Sequence, residues 1–279
     1  MNCSVGLLGE EVRMKESETT TWKIPGVTDE EYFGDYDKYL TASQLKAFAD
    51  CPWLADYQRR NPETKSDTDA LFFGRAVHCC TLEGKEEFLA RFEIGGEPVN
   101  PKTGKPYGSD SQKFQQWLES LPPGSNVISS KKANDAIELA DCVHGHEIAG
   151  ELLRYGEPEI CFRGQFQGIP VQSKIDWLGA GYICDLKTCQ SLKQFEASFF
   201  RFKYDLQAAF YTRMVSPHLE SRFYFIAVEK QFPNLVAVYQ VKDETLGAAQ
   251  KRLDHLLVEY KEAIRNQRFV TRTEEVRSI

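Results

Sequence analysis

Residues 175–188, IDWLGAGYICDLKT, combine two short apolar segments with a central Gly-Ala-Gly turn. Apolar segments on either side of a glycine-rich turn are typical of a β-hairpin. Asp176 lies near the end of the first predicted strand. Asp185 and Lys187 lie two residues apart on the second strand, so their side chains project to the same side of it. The pattern therefore predicts two acids and a lysine close together on one hairpin.

Such a group of charges has a well-defined chemical use. Carboxylate oxygens are preferred ligands of hard divalent cations such as Mg²⁺. A neighbouring lysine can orient a water molecule or stabilise the charge of a phosphate under attack. An Asp-x-Lys pattern on a strand also occurs on solvated surfaces, so the assignment of a metal-dependent site depends on the other motifs of the chain.

Length and composition are those of a globular protein. The chain has 279 residues, of which 42% are apolar and 27% charged. It contains no apolar run of about 18 residues that would predict a membrane helix, and its first residues lack a signal-peptide pattern. We therefore expect a cytoplasmic protein without a membrane partner, with its 8 cysteines as free thiols. The net charge of −7 argues against non-specific coating of nucleic acid, but a local basic stripe could still contact DNA.

The order of predicted elements indicates the fold class. Residues 1–38 are polar and irregular and predict a flexible N-terminal arm, followed by a single domain over residues 39–279. Helical segments precede three predicted strands at about 157–166, 169–177 and 181–187, and a helix, two strands and a long helix follow. This order predicts an α/β fold with a mixed central β-sheet, flanking helices and an N-terminal helical layer.

A second motif lies in residues 72–92, FFGRAVHCCTLEGKEEFLARF. It resembles the G-x-A-x-H-x-x-x-L-E helix of the exodeoxyribonuclease VIII-like branch of the PD-(D/E)XK nuclease superfamily, and every specified position of that pattern is filled. The hairpin matches the paired acids and lysine of the same superfamily, although Ile175 stands where a proline often precedes the first acid. The resemblance covers about residues 40–265 and implies a restriction-endonuclease-like core.

The resemblance implies a set of metal ligands. They are His78, Asp176, Asp185 and the backbone carbonyl of Leu186, and they would hold Mg²⁺, for which Mn²⁺ can substitute. In the same pattern Lys187 positions the attacking water.

A glutamate on the first of the three predicted strands, at about 157–166, completes the site implied by the resemblance. In the family it helps to organise the metal site, and Glu159 is favoured for that role. Glu157 remains an alternative because it lies two residues away on the same strand face.

A helix after the hairpin carries further candidates. Gln207 and Tyr211 are four residues apart, hence on one helix face, and they match a Q-x-x-x-Y helix that in the family faces DNA and the active site. The basic residues of this region could contact phosphates; they are Lys193, Arg201, Lys203 and Arg213. Three aromatic residues between them are expected in the core rather than as platforms for base stacking; they are Phe199, Phe200 and Phe202.

Two other metal sites are considered and disfavoured. Cys51 occupies a position at which related nucleases ligate an iron–sulfur cluster, but no cysteine follows Cys189 to complete four thiolates, so we expect no cluster and a buried Cys51 thiol. Cys142, His144 and His146 are too close in sequence for a helix to present all three on one face, so we expect them to be structural or surface residues.

The resemblance also implies an activity. It is that of a Mg²⁺-dependent DNA exonuclease of phage-type homologous recombination, which degrades duplex ends in the 5′ to 3′ direction. It further implies a ring-like homo-oligomer and a single-strand annealing protein as partner. Two alternatives remain open, a structure-specific endonuclease on the same fold and a non-catalytic DNA-binding relative.

Overall fold

A six-stranded mixed β-sheet forms the centre of the protein. The computed structural model describes residues 19–61, 68–122 and 125–271. The strand order is β1-β4-β5-β6-β7-β8; β6 and β7 are parallel and all other neighbours are antiparallel. The two remaining strands form a small parallel pair. The bounds are β1 (Thr19–Ile24), β2 (Glu93–Ile94), β3 (Val127–Ile128), β4 (Gly156–Phe166), β5 (Ile169–Gly179), β6 (Tyr182–Cys189), β7 (Arg222–Glu229) and β8 (Val236–Gln240).

Eleven α-helices and one π-helical turn, Cys79–Glu83, lie in the described ranges. The helices are α1 (Asp29–Gly34), α2 (Ala42–Asp50), α3 (Pro52–Arg60), α4 (Asp69–His78), α5 (Lys85–Arg91), α6 (Gln112–Ser120), α7 (Ser130–Gly145), α8 (Glu147–Leu152), α9 (Leu192–Ser198), α10 (Tyr204–Val215) and α11 (Asp243–Asn266). In this part of the chain no helix combines the length and the apolar character needed to cross a bilayer.

Two hydrophobic cores enclose the sheet. One contains residues of α2, α10 and α11, such as Phe48, Phe210 and Leu257. The other contains residues of α4, α5 and α7, such as Val77 and Leu139. The sheet is thus buried between helical layers, which confirms the predicted α/β class with a mixed central sheet and flanking helices.

Local sequence signals set the helix boundaries near the site. Thr41 begins α2 with a capping box, in which its hydroxyl accepts the Gln44 N–H and the Gln44 side chain accepts the Thr41 N–H. Pro52 cannot donate a backbone hydrogen bond, so the helix ends at Cys51 and α3 begins anew. The π-helical turn follows His78 directly; such turns are frequent at functional sites.

The predicted N-terminal arm is wrong for residues 19–38. Thr19–Ile24 form the edge strand β1, which pairs with β4, and α1 follows with a capping box at Thr28. The strand is explained by its composition, TTTWKI, since β-branched and aromatic residues favour an extended backbone. Residues 1–18 lie outside the described part of the chain, and the single domain over residues 39–279 stays a prediction.

The cysteines that the structure describes are free thiols, as expected, and several of them lie in the core. Cys161 and Cys184 are buried, and all seven cysteines in the described ranges are free thiols. Cys51 is only partly buried, with its Sγ 3.6 Å from the Thr271 carbonyl oxygen.

Candidate metal and catalytic site

The site lies where β5 and β6 separate. The two strands pair only over Trp177–Gly179 and Tyr182–Cys184, so Asp176 and Asp185 are the first residues beyond the paired segment on each strand. In the opening between them, the backbone N–H of Leu186 donates to Asp176 Oδ2 at 2.9 Å. The hairpin predicted from the sequence therefore forms, and its two acids stand on opposite sides of this opening.

The side chains of His78, Glu159 and Asp176, which belong to three different elements, lie close together. His78 ends α4 and Glu159 lies on β4, and together with Asp176 they bring one ligand atom each within 4.8 Å of one another. His78 Nδ1 is 3.4 Å from Asp176 Oδ2. In the described part of the chain, this is the one group of three acidic, histidine or cysteine residues close enough to share a metal ion.

The electrostatics of this cluster reflect burial and like charge. Burial, and after it the nearby Asp185 carboxylate, raise the pKa of Asp176 to about 7 against the opposing effect of Lys187. Burial, together with Asp176, raises the pKa of Glu159. Burial and the Lys187 ammonium lower the pKa of His78, which favours the neutral imidazole that can bind a metal.

Of the two candidate glutamates, the structure places Glu159 at the cluster. Glu157 is exposed and forms an ion pair with Lys23 on the edge strand at 2.8 Å. Glu159 has a left-handed backbone with a φ of 54°, which is uncommon for a residue with a side chain. Its carboxylate is held by Lys174 Nζ at 2.5 Å. Strained backbone of this kind is concentrated at functional sites.

Asp185 belongs to a separate network beside the cluster. Its side chain is 1% exposed, and one carboxylate oxygen forms an ion pair with Lys187. The other oxygen accepts a hydrogen bond from Gln207 Nε2 at 2.5 Å. Burial opposes the charge on Lys187, but Asp185 and Asp176 outweigh burial and raise its pKa. The ligand roles of Asp185 and of the Leu186 carbonyl therefore stay predictions.

Lys46 on α2 fixes the orientation of Gln207. Its Nζ donates to Gln207 Oε1 at 2.8 Å. Since an ammonium has no acceptor, the Gln207 amide must turn its oxygen to Lys46 and its NH₂ group to Asp185. Burial, with Lys187 adding to it, lowers the pKa of Lys46 to about 8. No sequence motif indicates this role for Lys46, because 161 residues separate it from Gln207.

Lys174 was also missed, although a local signal was present. It precedes Asp176 by two residues on β5, the spacing that led us to pair Asp185 with Lys187. Lys174 forms ion pairs with Glu159 and with Asp29 of α1. Helix α1 thereby contributes to the site, although no motif in residues 29–34 indicates this role.

A cavity of about 410 Å³ opens beside these groups. His78, Glu159, Asp176, Lys187 and Tyr211 all contribute to its wall. Tyr211 is thus placed at the site with Gln207, one turn apart on α10; burial raises its pKa well above the usual value. The six residues predicted as catalytic are all brought to this region.

The four basic residues that were expected to contact phosphates lie in different environments. Arg213 is buried in contacts with Asp254, at 2.6 Å, and with Gln250, so it joins α10 to α11 instead of facing a ligand. Lys203 forms an ion pair with Asp50. Lys193 and Arg201 are exposed.

The expectation that three neighbouring phenylalanines are core residues is wrong for two of them. Phe200 is 63% and Phe202 48% exposed, whereas Phe199 packs against the core. The chain leaves the helical conformation between α9 and α10, so these rings do not follow one buried helix face.

The histidines near residue 145 have structural contacts, as predicted. His144 Nε2 lies 2.9 Å from the Thr81 carbonyl oxygen, and His146 Nδ1 accepts the Ala149 N–H at the start of α8. A shallow groove of about 710 Å³ adjoins them. Neither residue belongs to a metal-binding group in the described ranges.

Comparison with known proteins identifies the family. A family model described as a "PDDEXK-like domain of unknown function (DUF3799)" matches residues 41–279. The chain belongs to this PDDEXK-like family. The predicted membership of the PD-(D/E)XK superfamily is thereby confirmed.

A solved structure supports the PDDEXK-like fold. A protein from Eubacterium rectale described as a "putative exonuclease" is similar over 91% of this chain and 95% of its own, with a TM-score of 0.65 and 16% sequence identity. At this identity the similarity concerns the fold. No curated protein matches the chain significantly.

The donor set of the PDDEXK-like site fits a divalent cation. It offers one imidazole nitrogen and two carboxylates, and oxygen-rich sets of this kind suit Mg²⁺ and Mn²⁺. Burial is the main reason that the pKa values of Glu159 and Asp176 are raised, with Asp176 adding to the shift of Glu159 and Asp185 to that of Asp176, and a bound cation would offset this cost of holding carboxylates in their charged form.

Proposed function

We propose that this protein is a metal-dependent nuclease that hydrolyses phosphodiester bonds of DNA. The observation that carries the proposal is the convergence of His78, Glu159 and Asp176 within 4.8 Å, next to Lys187. A single acidic pair on a strand has many explanations. A metal-ligand group and a partly buried lysine in one cavity of a PDDEXK-like chain are explained together by phosphodiester hydrolysis.

The proposed metal is Mg²⁺, with Mn²⁺ as a substitute. His78, Glu159 and Asp176 would hold it, and Asp185 and the Leu186 carbonyl are further candidate ligands. A divalent cation bound there would supply Lewis-acid chemistry, polarising a phosphoryl oxygen and neutralising developing charge.

The remaining residues act on the substrate and on each other. Lys187, held by Asp185, places a positive charge at the cavity, where it can orient a water molecule and stabilise the phosphate during attack. Gln207 fixes the Asp185 carboxylate, and Lys46 fixes Gln207. Tyr211 lines the cavity and limits the space for the strand. Preorganisation of this kind lowers the reorganisation needed during reaction.

We further propose that the enzyme digests duplex DNA from its ends, in the 5′ to 3′ direction, during phage-type recombination. The similarity of the fold to a protein described as a "putative exonuclease" supports this choice over an endonuclease. A chain of net charge −7 attracts DNA weakly as a whole, so a closed homo-oligomeric ring with basic residues facing inward would explain retention of the substrate. An annealing protein would receive the remaining single strand.

Digestion of matched linear and covalently closed circular duplexes tests this proposal. With Mg²⁺, we expect the linear duplex to be degraded from its ends and the circle to remain intact; chelation with EDTA should stop degradation. Labels on each strand end report the direction. Nicking of closed circles by a protein that sediments as a monomer at micromolar concentration would contradict both the ring and the exonuclease, and the endonuclease would then be the better description.

A further inference from the structure

The turn between α9 and α10 carries two exposed aromatic rings. Phe200 and Phe202 are the large apolar residues that this turn leaves to solvent, while their neighbour Phe199 packs on Tyr204 and Phe225. The turn ends at Lys203, which has a left-handed backbone with a φ of 53°. A residue in this conformation redirects the chain sharply into α10. Large apolar residues that are exposed side by side are a common mark of a binding surface.

This surface lies close to the candidate catalytic site. The ring centroid of Phe202 is 5.7 Å from that of Tyr204, and the Tyr204 centroid is 5.3 Å from Lys187 Nζ. At most about 11 Å therefore separate the Phe202 ring from Lys187 Nζ. At about 3.4 Å per stacked base, this is a distance of roughly three nucleotides. A strand whose phosphate lies at Lys187 would pass over this turn.

The charges of the turn suit a polyanion. The guanidinium of Arg201 lies 4.7 Å from the Phe202 ring centroid, and Arg201 is exposed. Lys193 on α9 is exposed as well. Residues 193–203 contain three basic residues and one acid, Glu196; Lys203 is paired with Asp50, so Lys193 and Arg201 are the basic residues of this segment with no ion pair found in the described structure. A local positive surface with aromatic rings is the combination that binds single-stranded nucleic acid.

We propose that Phe200 and Phe202 bind the unpaired bases of a DNA strand by stacking, while Arg201 contacts its backbone. The inference rests on the proposed nuclease function and adds the substrate feature that the site recognises: a single-stranded segment next to the scissile phosphate. Stacking does not depend on base identity, because every base offers an aromatic face. The surface would thus keep a melted end in place without sequence preference.

Fluorescence anisotropy with the full-length chain tests the proposal. The Lys187→Met variant slows cleavage during the measurement, and the probes are labelled blunt duplexes and duplexes with a short single-stranded tail. In this background, Phe202→Ala should weaken binding of the tailed duplex about tenfold, and the double change with Phe200→Ala should weaken it further. Phe202→Trp should restore binding, whereas Phe202→Leu, which keeps an apolar side chain, should not.

A matched control is Tyr155→Ala. Tyr155 is 70% exposed and does not line the cavity, so its removal tests the effect of losing any exposed aromatic ring. We expect this variant to bind the tailed duplex like its parent. 2-Aminopurine placed in the tail should be quenched by the parent protein and less so by Phe202→Ala.

Three results would overturn the inference. They are equal binding by Phe202→Ala and Tyr155→Ala, full binding by Phe202→Leu, or a change in sedimentation of Phe202→Ala that marks the turn as a contact between copies of the chain.

The two proposals, the nuclease function and the stacking surface, can fail separately. If Phe202→Ala loses tail binding but the wild-type protein never cleaves DNA, the stacking surface is supported and the nuclease function is refuted. If the protein cleaves tailed duplex and Phe202→Ala leaves that cleavage unaffected, the nuclease function is supported and the stacking surface is refuted.

Discussion

Lys187→Met should lower the rate of DNA cleavage by a factor of about 10²–10³ or more, the usual effect of removing one preorganised charge from a transition state. Methionine keeps the length of the side chain over the Tyr204 and Phe225 rings, so the change removes the ammonium and little of the packing. Single-turnover cleavage of a labelled linear duplex is the measurement. Divalent metal binding should be largely retained, since the lysine is not a ligand.

The stability of this variant needs its own control, because Asp185 is buried and loses its ion-pair partner. We expect a destabilisation on the order of 2 kcal/mol. The double variant Lys187→Met/Asp185→Asn removes the unpaired charge and should regain stability while remaining inactive. Lys131→Met, a change at an exposed lysine of α7, should behave like wild type. Near-wild-type turnover by a folded Lys187→Met would refute the role assigned to Lys187.

Asp176→Asn should remove metal binding and cleavage while stabilising the metal-free protein at neutral and higher pH. The pKa of Asp176 in the folded protein is raised to about 7 from a usual value of 3.8. Below about pH 4 the carboxyl is protonated in both the folded and the unfolded chain. Between pH 4 and 7 the folded chain holds a proton that the unfolded chain has released, so this group's contribution to stability falls as pH rises. Above pH 7 the destabilisation by Asp176 is complete, on the order of 2–4 kcal/mol.

Thermal unfolding in EDTA at pH 5 and pH 8 measures this effect. Wild type should lose stability between these pH values relative to Asp176→Asn. Glu157→Gln, a change at an exposed carboxylate, is the matched control and should follow wild type. If Asp176→Asn is less stable than wild type at pH 8 without metal, the carboxylate is a stabilising structural group and its assignment as a strained metal ligand is wrong.

The parts of the site that were predictable from the sequence are those carried by short motifs. The hairpin has a turn signal and two apolar strands, and the motif that contains His78 matches a family pattern. Lys46 could not be found in this way, because it meets Gln207 only after α2 packs against α10. Lys174 could have been found by applying the alternation of strand side chains to both sides of Asp176.

Two errors have physical explanations in the chain itself. Residues 19–24 pair with a strand about 140 residues away, and a polar, threonine-rich edge strand lacks the apolar alternation of a buried one. The single helix predicted after the strand at about 181–187 is divided into α9 and α10 by residues 199–203, where Lys203 takes a left-handed conformation. The rings that we expected in the core are exposed because of this interruption.

Calorimetric titration of Mn²⁺ into the metal-free protein measures whether His78 is a metal ligand, with wild type, His78→Ala and His255→Ala compared under one condition. His255 is exposed on α11 and serves as the matched histidine. We expect wild type and His255→Ala to bind Mn²⁺ alike and His78→Ala to bind it at least about tenfold more weakly. Wild-type Mn²⁺ affinity in His78→Ala, accompanied by a lower melting temperature, would show that His78 is a packing residue and would contradict the proposed metal site.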